Sequence, residues 1–431
     1  MVGQKQGENM EIRLREAFLW LLLCVLAPAA HAQNGVTPED EYKKLIKVSE
    51  DIQPLGDNPF GEQVSLYGGG LSFEQVDVSV PGNGPTLQLS RTLNINGRED
   101  ALLTSHLGFA DWELNIPRIE TITANSGNVS GWQVNWPADP QARCTHFSAP
   151  PTVFYNRSMS LPPWSAGEWW DGYHLVVPGA GIQTLLSRAG GNHLSPAMPG
   201  MTFSIVTEQH WMLSCLPQLS DGGIGEGFLA VAPDGTRYWF DHLVYGSAAP
   251  ITKSASAAPV PLRQVGSTML HPTVATTATL ERRRAWMLVT RIEDRFGNWL
   301  TYQYNGKQLV AIDANDGRHA TLSYASNGLL QSVVVNPGSG NSRTWTYQYA
   351  APGPLGLSTL SAVVQPDTSR WQFDLGALLF VASTQSIGGG DCESPGTPTA
   401  NTFVGSMIHP SGLKGKFTVK PTKRGRSYVP R

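Results

Sequence analysis

Residues 288–373 contain an imperfect tandem repeat, and a chain with such a repeat has few folds open to it. Gly297 recurs as Gly317, Ile292 as Ile312 and Tyr304 as Tyr324, all at one spacing of twenty residues (317 − 297, 312 − 292, 324 − 304). A third copy, Val333-Val-Val-Asn-Pro-Gly-Ser-Gly-Asn-Ser-Arg-Thr-Trp-Thr-Tyr-Gln-Tyr349, keeps the plan with a longer turn, and a fourth, Ala362-Val-Val-Gln-Pro-Asp-Thr-Ser-Arg-Trp-Gln-Phe373, is more degenerate. A fixed period of this length marks one supersecondary unit that cannot bury its apolar face alone and must stack on its neighbours to make a continuous core.

Each unit reads as a β-hairpin. In Leu300-Thr-Tyr302-Gln-Tyr304, Ala320-Thr-Leu322-Ser-Tyr324 and Trp345-Thr-Tyr347-Gln-Tyr349 apolar residues alternate with Thr, Gln and Ser, the period of strands with one buried face. Within units, Glu-Asp-Arg-Phe-Gly297-Asn and Asp-Ala-Asn-Asp-Gly317-Arg supply turn residues; between units stand Asn305-Gly306 and Asn327-Gly328, a strong hairpin signal. An isolated hairpin is marginal in water, so the units are expected side by side in one long sheet.

The residues Ile292-Glu-Asp-Arg-Phe-Gly-Asn-Trp-Leu-Thr-Tyr-Gln-Tyr-Asn-Gly306 resemble the YD repeat of bacterial RHS proteins, with its G-x-x-x-x-Y-x-Y-D-x-x-G core; Asn305 stands at the Asp position. Upstream, Gly61-Glu-Gln-Val-Ser-Leu and Val76-Asp-Val-Ser-Val-Pro-Gly-Asn-Gly-Pro-Thr-Leu-Gln-Leu-Ser-Arg-Thr92 resemble the segment preceding the repeats in that family. The resemblance implies an all-β fold, a meander of β-hairpin repeats forming part of a YD-repeat β-shell, preceded by an irregular β region. It also implies the partners: a continuation of the repeat shell, or a carboxy-terminal toxin or processed domain enclosed by it. The chain then corresponds to the amino-terminal portion of such a protein, of the polymorphic-toxin type.

Arg13-Leu-Arg15, the apolar run Ala17–Ala27 and Ala30-His-Ala32 have the layout of a secretory signal cleaved before Gln33, with Met10 as an alternative start; the run is short for a retained membrane anchor. The expected order is a signal peptide over 1–32, an amino-terminal helix (Thr37 to Val48) and linker over 33–59, a pre-repeat β region over 60–245, an Ala/Ser/Thr/Pro-rich linker or loop over 246–281, repeats over 282–380, and an irregular break with a terminal basic strand over 381–431. Strands are expected at Gly131–Trp136, Gly172–Val177 and Phe228–Ala232, the last turning through Pro233-Asp-Gly235 into Thr236–Phe240 as an early repeat. Cleavage leaves Cys144, Cys215 and Cys392. In an oxidising compartment Cys144 and Cys215 are the natural pair, the alternative being two buried thiols, and Cys392 is left odd.

No H-E-x-x-H, C-x-x-C, G-x-S-x-G or P-loop pattern occurs, so the chain offers no catalytic, cofactor-binding or metal residues by motif. Asp313-Ala-Asn-Asp-Gly317 has the composition of a calcium loop, but its glycine is one position early and Tyr324 occupies the twelfth position, so a hairpin turn explains it better. His146, His174, His210 and His242 share the pre-repeat region without ligand spacing. A net charge of −3 gives no argument for nucleic acid or for a membrane after cleavage, and the basic tail from Lys414 to Arg431 reads as a solvated strand. The competing reading is a carbohydrate-binding or carbohydrate-active β-protein, in which Trp164, Trp169, Trp170 and Tyr173 form stacking platforms and Glu113, Glu120, Glu168 and Asp171 supply acids. The expectation is an exported, non-enzymatic repeat scaffold, periplasmic, surface-bound or secreted.

Overall fold

The structure, a computed structural model, describes residues 58–64, 70–95, 108–155, 161–188, 198–255, 276–336, 338, 340–351, 358–380 and 402–420. The expected signal and amino-terminal helix, Cys392 and the tail beyond Lys420 lie outside the described residues. Those described are all-β apart from two short 3₁₀ turns, and they belong to one compact unit spanning Asn58–Arg431.

The repeats form an antiparallel meander. Strands Thr276–Glu293, Trp299–Asn305, Gln308–Ala314, His319–Tyr324, Leu330–Val335, Arg343–Tyr349, Leu360–Val364 and Arg370–Asp374 pair each with the next. The sheet continues on one side into Phe403–Ile408 and Lys414–Val419, a further hairpin that the sequence reading saw only as a terminal strand. On the other side it runs through Arg237–Ala255 to Gly227–Val231, Met212–Leu216 and Ile205–Val206. Thr276–Glu293 is a branch point: its Arg291–Glu293 end pairs with Trp299–Thr301, while Arg282–Leu288 pairs with Arg118–Ala124. The meander does not close into a barrel.

One turn recurs. In Asp294–Asn298 and Ala314–Arg318 the fourth residue donates its N–H to the first carbonyl, and the first donates to the fifth (3.1 and 2.9 Å in both turns). The fourth residues, Gly297 and Gly317, have φ of +87° and +85°, which is why glycine stands there. The same bonds close Gln365–Ser369, but its fourth residue is Thr368 at φ +70°, a costly conformation for a β-branched side chain.

The repeat tyrosines act through their hydroxyls. Tyr304, Tyr324 and Tyr349 each lie immediately after a register shift, at Gln303/Tyr304, Ser323/Tyr324 and Gln348/Tyr349. They pair with Leu309, Leu330 and Leu360. Tyr324 donates its O–H to Leu309 O (2.8 Å) and Tyr349 to Leu330 O (2.8 Å), so each tyrosine reaches back to the residue opposite the preceding tyrosine. Tyr304 donates to Val289 O (2.6 Å), and Val289 pairs with Phe240, which marks the hairpin at 228–240 as the earlier unit of the series. Burial raises the hydroxyls of Tyr304 and Tyr324, so they remain protonated donors.

Two sequence expectations fail. Residues 246–255 and 276–281 are not a loop: the long hairpin remains paired from Gly246↔Arg284 out to Ala255↔Thr276. Gly131–Trp136 is not a strand, because its N–H groups are taken elsewhere, Trp132 by the Tyr245 hydroxyl, Val134 by Pro140 O and Asn135 by Ala149 O.

Thr368→Gly is expected to raise stability by about 1 kcal/mol, since it relieves the positive φ at a modest entropy cost. Tyr324→Phe should cost about 1 kcal/mol for the lost hydrogen bond, Tyr324→Ala about 3 to 5 kcal/mol, and Gln303→Ala, on an exposed position, less than about 0.5 kcal/mol. Urea denaturation of the four variants checks this order.

Candidate functional site

The most elaborate chemistry in the molecule lies at a seam. A second sheet of four antiparallel strands, Glu62–Val64, Leu71–Val80, Leu87–Asn94 and Glu113–Leu114, packs on the inner face of the repeats. Phe73 meets Phe417 edge-on (4.7 Å between centroids), Trp112 meets Phe373 (5.4 Å) and Phe109 meets Tyr347 (4.9 Å). Tyr302, Leu322, Val333, Trp345 and Tyr347 are buried. The inward face that the family resemblance assigns to a hollow shell is therefore covered by the chain's own pre-repeat segment.

At one end of the seam the turn over residues 81–85 is clasped by two repeat turns. Arg318 donates from Nη1 to Val80 O (2.6 Å) and from Nη2 to Pro85 O (3.0 Å), while its Nε pairs with Asp316 (2.8 Å). Asp316 Oδ2 accepts Asn83 N–H (3.1 Å), and Asn298 Nδ2 donates to Asn83 O (3.2 Å). The clasp leaves no room for side chains at Gly82 and Gly84: a Cβ would come within 2.2 Å of Arg318 and 2.3 Å of Asn298.

At the centre lies a buried ionic cluster. Arg91 is 0% exposed; its Nε and Nη2 hold Asp77 (2.9 and 3.1 Å), and its guanidinium lies over the rings of Trp112 (4.3 Å) and Phe373 (4.7 Å). A charge so enclosed survives only when paired, and the aromatic faces add cation–π attraction. Asp111, 8% exposed, accepts Leu360 N–H (2.7 Å) through Oδ1, whereas its Oδ2 has no partner among the described residues. Burial pushes its carboxyl up to about 7, against the opposing pull of the Leu360 N–H and Arg91.

The groups nominated for carbohydrate chemistry are otherwise engaged. Trp164, Trp169 and Tyr173 are buried, and Trp170 donates its indole N–H to Thr121 Oγ1 (2.9 Å). Glu113 and Glu120 both bind Arg118 (2.6 and 2.7 Å); burial would raise Glu120, but Arg118 brings it below its ordinary value. Glu168 accepts from the Ser165 N–H (2.7 Å) and pairs with Lys253 (2.6 Å). Glu168 and Asp171 are exposed. His146 stacks on Trp136, His242 stacks on Tyr304 and hydrogen-bonds through Nε2 with Gly306 O (2.7 Å), and no group of three His, Cys, Asp or Glu suited to a metal occurs among the described residues.

Cys144 and Cys215 are joined in a disulfide with Cα atoms 5.4 Å apart. Glu226 fixes this corner by accepting the N–H groups of Cys144 (2.9 Å) and Thr145 (2.8 Å). Sequence reasoning missed Asp77, Arg91, Asp111 and Arg318. Arg91 was visible only as the middle of Ser-Arg-Thr, and nothing local marks it as buried.

No family model matches the chain, and no curated protein matches it. Among solved structures, the N-terminal domain of effector protein SpvB from Salmonella typhimurium strain LT2 is similar at 10% identity and a TM-score of 0.32, over 67% of this chain and 98% of that chain.

Asp111 carries a pH prediction. Its folded value of about 7 lies above its ordinary 3.8, so the folded state binds the extra proton and stability falls as pH rises between these values, levelling off above about 7. The loss attributable to this group is at most about 4 kcal/mol. Urea denaturation from pH 4 to 8 should show this slope in the wild type and a flatter profile in Asp111→Asn, which keeps an acceptor for Leu360 and cannot ionise. Parallel profiles for the two proteins would contradict it.

Proposed function

We propose that the chain is a non-enzymatic, exported scaffold of the RHS/YD-repeat kind, the amino-terminal portion of a β-shell protein whose partners are further repeats or a carboxy-terminal domain held by them. The observation that carries this reading is the tyrosine series: each hydroxyl ties the two strands of its own hairpin, and Leu309 and Leu330, which accept two of these bonds, pair with the tyrosine of the unit before, so like units follow one another in one sheet. The four-stranded sheet then acts as a cap over the apolar face of the series. Export is supported by the Cys144 to Cys215 disulfide, since such bonds persist in oxidising compartments, and by the signal-like first 32 residues. The engagement of Glu113, Glu120 and Glu168 in ion pairs favours the scaffold over a glycosidase built on them.

Expression of the full chain in a bacterium tests both parts. The exported protein is expected to begin at Gln33 and to give a Cys144 to Cys215 linked peptide in a non-reducing map, and removal of that bond by a double Cys→Ser change should cost about 2 to 4 kcal/mol. Free thiols at both positions together with retention of residues 1–32 would overturn export. For the scaffold role, an unfolded passenger fused after Arg431 should survive protease several-fold longer than the same passenger alone; equal cleavage rates would overturn it.

A further inference from the structure

Beyond the scaffold role, a polar cleft of about 450 Å³ sits on the long hairpin, lined by Asn125, Tyr245, Ser247, Glu281, Arg282 and Arg283. Strand register assembles it. Arg283 lies opposite Ser247 on one neighbouring strand and Thr123 on the other, Tyr245 lies opposite Ala285, and alternation returns Glu281 to the same face as Arg283. The cleft volume falls in the range of small-molecule sites.

Its functional groups are unspent. The Arg283 guanidinium lies 6.0 Å from the Tyr245 ring and has no carboxylate partner among the described residues. Tyr245 contributes to the cleft wall, while its hydroxyl is turned to the Trp132 N–H (3.2 Å). Asn125 uses Oδ1 to accept from Ser130 (3.2 Å), leaving its NH₂ available, and Ser247 and Glu281 are exposed. Arg282, the adjacent cation, is by contrast bound to Ala249 O and Trp169 O. One face thus gathers a planar cation, two neutral donors and one carboxylate acceptor. Arginine pairs bidentately with carboxylates, whereas a lone Glu pairs with hydroxyls, so the complementary ligand carries a carboxylate and vicinal hydroxyls on a small ring.

We propose that this cleft binds an acidic sugar residue of the hexuronate class, its carboxylate on Arg283 and its hydroxyls on Glu281, Asn125 and Ser247. The residues differ from those of the aromatic-platform reading. Binding here does not depend on the scaffold reading and would hold for any folded form of the chain.

Isothermal titration of the full chain with D-glucuronate, D-glucose and glycylglycine tests it. Glucuronate should bind saturably and at least about tenfold more tightly than glucose, and Arg283→Gln should remove about tenfold of that affinity, as for other charge-assisted contacts. Glu281→Gln, at an exposed position, should weaken both sugars by a similar factor while leaving the thermal unfolding curve unchanged, so the hydroxyl contacts are read even where the arginine variant fails to fold. Equal affinity for glucuronate and glucose, preference for glycylglycine, absence of saturable glucuronate binding, or full affinity in both variants would each overturn the proposal.

Discussion

The structure depends on a single constraint: every repeat hairpin has one apolar face, and a sheet of such hairpins must be covered. Here the cover is the chain's own four-stranded sheet with the residues just before its last strand: Phe73 meets Phe417, Trp112 meets Phe373 and Phe109 meets Tyr347. Burial of apolar area at about 25 cal/mol per Å² drives the contact. Polar groups then fix its register: Arg318 binds the backbone at Val80 and Pro85 at one end, and Asp111 binds the Leu360 N–H at the centre.

The buried ion cluster extends this logic at some cost in stability. An arginine wholly removed from water beside Asp77 would often be replaceable by an apolar residue without loss. Two of its contacts cross to the repeats, Arg91 over the Phe373 ring and Asp111 on the Leu360 N–H, and these tie the cluster to the placement of the small sheet. The tyrosine ties play the corresponding part within the large sheet. A register shift precedes each tyrosine, and its hydroxyl reaches a carbonyl on the preceding strand.

The branch at Thr276–Glu293 links this frame to the rest of the molecule. One strand serves two neighbours along its length, so the hairpin that it forms with Arg237–Ala255 projects beyond the repeats and meets Arg118–Ser126. The polar cleft lies on that projecting part. Its residues come from segments more than a hundred positions apart, and none belongs to a motif.

The sequence by itself determined the repeat, the turns at Gly297 and Gly317, the alternation that gives each strand a buried face, and the pairing of Cys144 with Cys215, because each depends on spacing, local backbone preference or a small set of partners. It misread 246–255 as a loop, since a strand rich in Ala, Ser and Pro carries little periodicity and is held by its partner across the hairpin. It misread Gly131–Trp136 as a strand, since the hydroxyl that takes the Trp132 N–H belongs to Tyr245, 113 positions away. Tertiary structure alone decided the seam. Whether Arg91 is solvated or enclosed, and whether Asp111 titrates near 4 or near 7, depends on which surface covers it, and desolvation is a property of the assembled core that no local pattern encodes.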